Sequence, residues 1–238
     1  MKDITALSSR LITVALFVSV AASPLAIGGT ITDGFEGASI SPIWTSLGPG
    51  TETITSAVAH SGNQSVQLQV SASFPWNADL SHDFGSSMFG SVSVFMERPA
   101  GPSSSAGELD IFDSTGRDSV IQQLPDGSYI ARINAGPGEL DFPFTSSSPN
   151  SWHQLEIDTG SSGIVMKFDG TIVATAPSFT SFSSVELDNH GGPLGSAFFD
   201  DFSATTSPSP EPSTVVLLAL AGLAVAAFRG LRDRVTGG

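Results

Sequence analysis

The sequence predicts an all-β protein folded as an antiparallel β-sandwich. From Ile31 onward no helical periodicity of useful length occurs, whereas short segments that alternate apolar and polar residues recur between Gly, Pro, Asp and Ser residues. Asp169-Gly170 separates two such segments and is a strong signal for a tight hairpin. Because the segments are short, closely spaced and without intervening helices, they favour a sandwich or jelly roll over a parallel α/β sheet.

About a dozen strands are expected along the chain. Val66, Leu68 and Val70 alternate with two glutamines in the first clear strand. Trp44 and Trp152 are predicted to pack in the core or between strands. The other clear predicted strands lie at 92–97, 152–158, 164–168 and 171–174.

Length and charge limit the classes of protein that the sequence can encode. The chain has 238 residues and a net charge of -14, with 9 Lys plus Arg against 23 Asp plus Glu. Nucleic acid is therefore not an expected partner, because a phosphate backbone is bound by clustered cations. Cysteine is absent, which excludes disulfides, thiolate zinc sites and thiol catalysis. Between the two terminal segments, residues 29–204 are predicted to form one domain.

The N-terminal residues 1–22 have the pattern of a secretory signal peptide. Lys2 and Arg10 precede a mainly apolar stretch, 11–22, that ends in small residues. This stretch is short against the roughly 20 residues that span a membrane. We therefore expect cleavage after Ala22, or as late as after Gly28.

The C-terminal residues contain a spacer and a second apolar segment. Residues 205–212 are rich in Ser, Thr and Pro and predict an extended linker. Residues 214–228 are apolar or glycine and predict a transmembrane helix. The basic flank that follows predicts that the body lies on the non-cytoplasmic side; it consists of Arg229, Arg232 and Arg234. A permanent anchor and a discarded sorting tail both remain open on this pattern.

Residues 210–234 resemble the PEP-CTERM sorting signal of bacteria. Pro210, Glu211 and Pro212 occupy the motif, and the apolar run and the Arg flank follow in the same order as in that family. The resemblance implies recognition by exosortase, cleavage near Pro-Glu-Pro, and delivery to the cell envelope, the outer surface or the extracellular matrix with its exopolysaccharide.

Several body segments resemble jelly-roll domains of the concanavalin A-like type and related carbohydrate-binding modules. The galactose-binding-like jelly roll is the alternative, because the opening and closing segments fit it equally well. The resembling segments are 33–37 with Trp44, 59–62, 65–68, 152–157, 168–170 and 198–202.

Glu108, Asp110 and Asp113 form the one candidate catalytic pattern. Glu108 and Asp110 share a strand face, and a bulge at 111–112 would add Asp113. The segment resembles the catalytic strand of laminarinase-like glycoside hydrolases, in which the third position is Glu. The shorter Asp113 makes catalysis unexpected. The plain alternative is an edge or surface strand in an acidic protein.

Two further sets of residues are candidate binding sites. Glu36 with Asp200 or Asp201 would suit a structural Ca²⁺ between opening and closing strands, as in the resembling modules, although unrelated surface acids explain the pattern equally well. No other cofactor is expected. Trp76 sits in a turn-like segment with Asn77 and Asp79, where a ring and polar neighbours could hold a sugar. The histidines are predicted to be ordinary polar positions; they are His60, His82, His153 and His190.

The sequence thus predicts an exported, non-catalytic cell-surface or matrix protein, with polysaccharide as the ligand class that its sandwich resemblance implies. The alternative is a glycoside hydrolase of the laminarinase-like class, active or degraded, that uses Glu108, Asp110 and Asp113.

Overall fold

A computed structural model of the chain describes residues 28–70, 78–97, 106–124, 126–134, 138–145, 150–190 and 195–208. Within these ranges every regular element is a β-strand, and all strand pairs are antiparallel, which confirms the predicted fold class. These ranges contain no helix with the length and apolarity needed to cross a membrane. The predicted signal peptide (1–22) and transmembrane helix (214–228) lie outside the described residues.

Fourteen strands follow one another along the described residues. They are β1 (Gly29–Asp33), β2 (Thr45–Ser46), β3 (Thr51–Thr55), β4 (Ser65–Gln69), β5 (Ala78–Glu97), β6 (Ala106–Phe112), β7 (Asp118–Gln123), β8 (Tyr129–Asn134), β9 (Glu139–Phe144), β10 (His153–Gly160), β11 (Gly163–Phe168), β12 (Thr171–Ala176), β13 (Phe182–His190) and β14 (Ser196–Pro208).

The long strand β5 links two layers of the sandwich. Its first part, around 78–83, pairs with β2 and β13, and the order continues through β6, β7, β8 and β9; we call this layer the front sheet. Its second part, 88–97, pairs with β10 and β14, and β11, β12, β1, β4 and β3 complete the back sheet. Gly85, with φ +71°, lies where β5 passes between the layers. One strand therefore ties both sheets together.

The core lies between the two sheets. A Cβ added to Gly107 of β6 would lie 2.5 Å from Met96 Sδ and 3.1 Å from Ala197 Cβ, so β6 packs closely on the back sheet. Leu109 and Ile111 are fully buried on this same face, and burying such side chains stabilises the fold by about 1.5–3 kcal/mol each. Since strand side chains alternate, Glu108 and Asp110 project from the opposite, outer face of the front sheet.

The structure bears out the local sequence predictions closely. Asp169 and Gly170 take φ +48° and +74° in the turn between β11 and β12. The terminal strands β1 and β14 pair side by side. Trp44 is buried, and its Nε1 donates a 2.9 Å hydrogen bond to Asp33 Oδ2.

Two features differ from the predictions made on the sequence. Strand β14 continues to Pro208, four residues into the segment predicted as a spacer, because the β-branched Thr205 and Thr206 pair with β1 and β5. Pro208 has no N–H and stands at the end of the ladder, beyond the last pair with β1. Trp152 is only partly buried and precedes β10, so it does not belong to the central core.

Candidate functional site

The outer face of the front sheet carries a row of carboxyl groups from three strands. Asp188 of β13 lies between Asp79 of β5 and Glu108 of β6 in the strand register. Asp110 is paired with Glu186 in the next register position. We call these five residues the acidic cluster. Asp79, Glu108, Asp110 and Asp188 are all at most 7% exposed, so four carboxyl groups are buried together.

The acidic cluster has few hydrogen-bond donors. Gln122 of β7 donates to Glu108 Oε1. The charge of Arg132 of β8 acts on Glu108, but its Nε already donates to Asp141 Oδ1 at 3.0 Å and lies 3.6 Å from Glu139 Oε2. The Oδ1 atoms of three cluster members accept no hydrogen bond; they belong to Asp79, Asp110 and Asp188.

Burial and mutual repulsion shift the titration of this cluster upward. Burial raises the pKa of Glu108 to about 7, although the hydrogen bond from Gln122 and the charge of Arg132 act against it. Burial, followed by the charge of Glu108, holds the pKa of Asp110 well above its usual value. For Asp188, burial and then a hydrogen-bonding contact with Asp79 raise the pKa strongly. Protons or another cation must therefore compensate this charge.

Asp113 does not join the acidic cluster. It follows the end of β6, where its Oδ1 accepts hydrogen bonds from Thr115 N (2.8 Å), Thr115 Oγ1 (2.6 Å) and Arg117 N (3.1 Å). Its Oδ2 accepts one from Arg117 Nε at 2.7 Å. Burial alone would raise the pKa of Asp113, but these hydrogen bonds outweigh it and lower the pKa. A turn that closes on Arg117 thus replaces the bulge expected from the sequence.

The interpretation of this segment as an edge or surface strand is also wrong. Strand β6 is paired on both sides, with β13 and with β7. Glu108 and Asp110 do share a face, as predicted, but each is only 7% exposed. The acids therefore belong to a central strand of the front sheet and are largely buried on its outer face.

The three residues predicted for calcium surround the segment 60–64. Asp200 Oδ2 accepts hydrogen bonds from His60 N (2.8 Å) and Ser61 N (3.1 Å). Glu36 Oε1 accepts hydrogen bonds from the backbone N–H groups of residues 63 (2.8 Å) and 64 (3.0 Å). Asp201 also points to this segment, because it lies in a bulge with φ +48°. Both aspartates face this side, not one of them as expected, and calcium binding stays a prediction.

His60 is held over an aromatic surface on the outer face of the back sheet. Its Nδ1 lies 2.7 Å from Asp201 Oδ2. Its ring stacks on Phe95 with centroids 3.6 Å apart and meets Trp152 edge-on at 5.8 Å. We call His60, Phe95 and Trp152 the aromatic stack. Gln154, the strand neighbour of Phe95, adds a polar group beside it.

The remaining predicted site residues divide into two groups. Asp79 is a member of the acidic cluster and is only 4% exposed. The others lie outside the described residues; they are Trp76, Asn77, Pro210, Glu211, Pro212, Arg229, Arg232 and Arg234.

Sequence reasoning missed Asp188 and His190 as partners of Glu108. The order Glu186, Asp188, His190 at alternate positions carried a usable signal, since it places three ionisable side chains on one strand face. Sequence reasoning also placed His60 at an ordinary polar position and Trp152 in the core or between strands, because their contact depends on a loop that crosses the back sheet.

Comparison with known proteins identifies the C-terminal tail and the fold. Residues 210–234 match the family described as PEP-CTERM protein-sorting motif. No curated protein matches the sequence. The body is similar to the solved structure of "Cellulose induced protein, Cip1", with 15% identity, a TM-score of 0.60, and coverage of 75% of this chain and 98% of that one.

Two enzyme structures share the same fold. An apo Crh5 transglycosylase is 13% identical with a TM-score of 0.58, covering 76% of this chain and 85% of its own. A β-glucanase of Bacillus licheniformis is 13% identical with a TM-score of 0.54, covering 75% of this chain and 98% of its own. At these identities the likeness establishes the fold alone. The chain is thus an exported protein of the cell envelope or surface, with a jelly-roll-like β-sandwich body and a PEP-CTERM sorting motif at its C-terminus.

Proposed function

We propose that this protein is a non-hydrolytic, polysaccharide-binding component of the bacterial surface or extracellular matrix, delivered there through exosortase processing of its tail. The export part of this proposal is supported by the PEP-CTERM motif at 210–234. The ligand class is suggested by the names of the proteins that share the fold, which include a β-glucanase and a transglycosylase.

The observation that carries the non-hydrolytic part is the inaccessibility of the acids on β6. A retaining glycosidase needs two carboxyl groups that reach the glycosidic bond from opposite sides. Glu108 and Asp110 are each only 7% exposed. Asp113 is bound by Thr115 and Arg117. This low exposure and these contacts argue against the three acids contacting a sugar and transferring a proton to its leaving oxygen.

The aromatic stack is the surface that we assign to the polysaccharide. A sugar places its C–H face on an aromatic ring and directs its hydroxyl groups to polar neighbours. Trp152 and His60 supply partly exposed rings, and Asp201 and Gln154 lie beside them. Asp200 fixes the backbone of His60, so this surface is held in place before a ligand arrives.

Charge favours a neutral polysaccharide over an anionic one. The chain has a net charge of -14. Asp200 and Asp201 add two carboxyl groups near the aromatic stack. Lys167, the described cation on the same sheet, is already paired with Glu156 at 2.8 Å and with Asp158 at 2.6 Å. A uronate chain would be repelled by this field.

The proposal is tested by retention and turnover of defined polysaccharides. Laminarin and mixed-linkage β-glucan are cast into native gels as neutral probes, and alginate serves as the anionic comparison. We expect slower migration of the full chain with at least one neutral probe, no retention by alginate, and no new reducing ends after prolonged incubation. Absence of retention by both neutral probes would refute polysaccharide binding of this class.

The hydrolase alternative is supported by the shared face of Glu108 and Asp110 and by the raised pKa of Glu108. If it were correct, reducing ends would accumulate from a β-glucan and the Glu108→Gln variant would abolish them. Turnover that survives this substitution would indicate a contaminating enzyme. We expect no turnover in either protein.

Exosortase processing predicts that the mature protein lacks its tail. Cleavage near Pro210, Glu211 and Pro212 removes the apolar segment 214–228 together with the basic flank. Mass spectrometry of surface material should therefore recover peptides of the β-sandwich but none that begin after Leu217. Intact C-terminal peptides in that fraction would contradict processing.

A further inference from the structure

Glu108, Asp188 and His190 form a compact group within the outer face of the front sheet. One ligand atom from each lies within 4.8 Å of the other two, and within the described ranges no other trio of carboxyl and imidazole side chains meets this distance. His190 Nδ1 lies 3.2 Å from Asp188 Oδ2. Adjacent pairing of β13 and β6 brings Glu108 opposite Asp188. The three residues come from two rigid strands, so the group is preformed.

A second observation distinguishes this group from an ordinary surface cluster of acids. Asp79 and Asp110 flank it and are 4% and 7% exposed, yet an Oδ1 atom of each has no hydrogen-bond partner. Asp188 Oδ1 also has no hydrogen-bond partner. A buried carboxylate oxygen without a donor is costly, and proteins satisfy such oxygens with donors or with a cation.

We propose that Glu108, Asp188 and His190 bind a divalent transition-metal ion, with Zn²⁺ as the representative. The combination of one imidazole and two carboxylates suits Zn²⁺, which accepts nitrogen and oxygen ligands in a tetrahedral set of about 2.0–2.2 Å bonds. Ca²⁺ prefers six to eight oxygens and takes histidine poorly. Asp79 and Asp110 lie beside the proposed ligands, where they can orient them. Asp79 does so through its contact with Asp188.

The low exposure of the acidic cluster also favours an ion over a larger ligand. Four carboxyl groups are at most 7% exposed here, so they offer little surface to a sugar. Arg132 is engaged by Asp141 and does not fully compensate the cluster. A single divalent ion would compensate two of the cluster's carboxylate charges. This metal site is separate from the aromatic stack, and its failure would leave the proposed polysaccharide binding untouched.

The test uses the full chain after removal of metals with a chelator. Isothermal titration with ZnCl₂ should show one site per chain, and the melting temperature should rise in proportion to the logarithm of excess Zn²⁺. Cobalt(II) should give the intense visible absorption of a four-coordinate site. CaCl₂ at the same concentration should not compete with Zn²⁺.

Substitutions decide which residues bind the ion. His190→Gln and Glu108→Gln should each weaken Zn²⁺ binding at least tenfold. His60→Gln is the matched control, because His60 also pairs with an aspartate but belongs to no such trio in the described part of the chain. The His60→Gln variant should bind Zn²⁺ with the affinity of the wild type. The side chain of His190 is 42% exposed, so its variant should fold. Absence of stoichiometric Zn²⁺ binding by the wild type, or equal affinity in all four proteins, would overturn the proposal.

Discussion

Replacing Asp200 with alanine is expected to lower the free energy of unfolding by about 3 kcal/mol, since three backbone N–H groups lose a charged acceptor. Asp200 is fully buried and accepts hydrogen bonds from the backbone N–H groups of His60, Ser61 and Asp201. Loss of the Asp200 side chain also removes two hydrogen bonds that hold the His60 loop on the back sheet. Urea denaturation of wild type and variant measures the difference, with an unchanged m-value as the condition for comparing them.

Asp201→Ala is the matched control for this experiment. Asp201 contacts the same two residues, through His60 Nδ1 and Ser61 Oγ at 2.7 Å each, but its side chain is 31% exposed. Because solvent compensates exposed pairs, we expect a loss below about 1 kcal/mol. Equal losses in the two variants would contradict the view that Asp200 contributes more than Asp201 to holding this loop.

Replacing Asp113 with asparagine is expected to lower the free energy of unfolding by about 2 kcal/mol at neutral pH, the range for hydrogen bonds to a charged group. The folded pKa of Asp113 is lowered by its hydrogen bonds from Thr115 and Arg117, which outweigh its burial. A lowered folded pKa means that the stabilisation is fully present above the unfolded value of 3.8 and is lost as the pH falls through the folded value. The gap between wild type and variant should therefore narrow as the pH falls below 3.8.

Asp126→Asn provides the comparison for this pH dependence. Asp126 makes the same local pattern, accepting hydrogen bonds from Ser128 N at 2.9 Å and Ser128 Oγ at 2.5 Å in an exposed turn. Its substitution should cost less than about 1 kcal/mol. A gap for Asp113→Asn that stays constant between pH 7 and pH 2.5 would show that its carboxylate charge does not stabilise the turn.

The strands and the hairpin were predictable because their signals are local. Alternation in segment 66–70 and the Asp169-Gly170 pair each depend on a few neighbouring residues, and both were confirmed. The turn at Asp113 also had a local signal that was passed over, since Asp followed by Ser, Thr and Gly is typical of turns closed by the aspartate side chain.

The acidic cluster was not predictable in the same way. Asp79, Glu108 and Asp188 become neighbours only through the register of β5, β6 and β13, which the alternation of each strand does not determine. The same reason applies to Trp152, whose partner His60 arrives from a loop held by Asp200. Local pattern fixes which face a side chain occupies, whereas its neighbours on that face depend on the whole topology.

The central claim, that polysaccharide binds at the aromatic stack and not at the acids of β6, is tested most directly by laminarin retention in Trp152→Ala and Glu108→Gln. Both variants should first be checked for wild-type secondary structure by circular dichroism. We expect Trp152→Ala to lose at least tenfold in affinity, because one aromatic platform is removed, while Glu108→Gln binds as the wild type does. Retention that is lost in Glu108→Gln and preserved in Trp152→Ala would contradict this account and move the binding site to the front sheet.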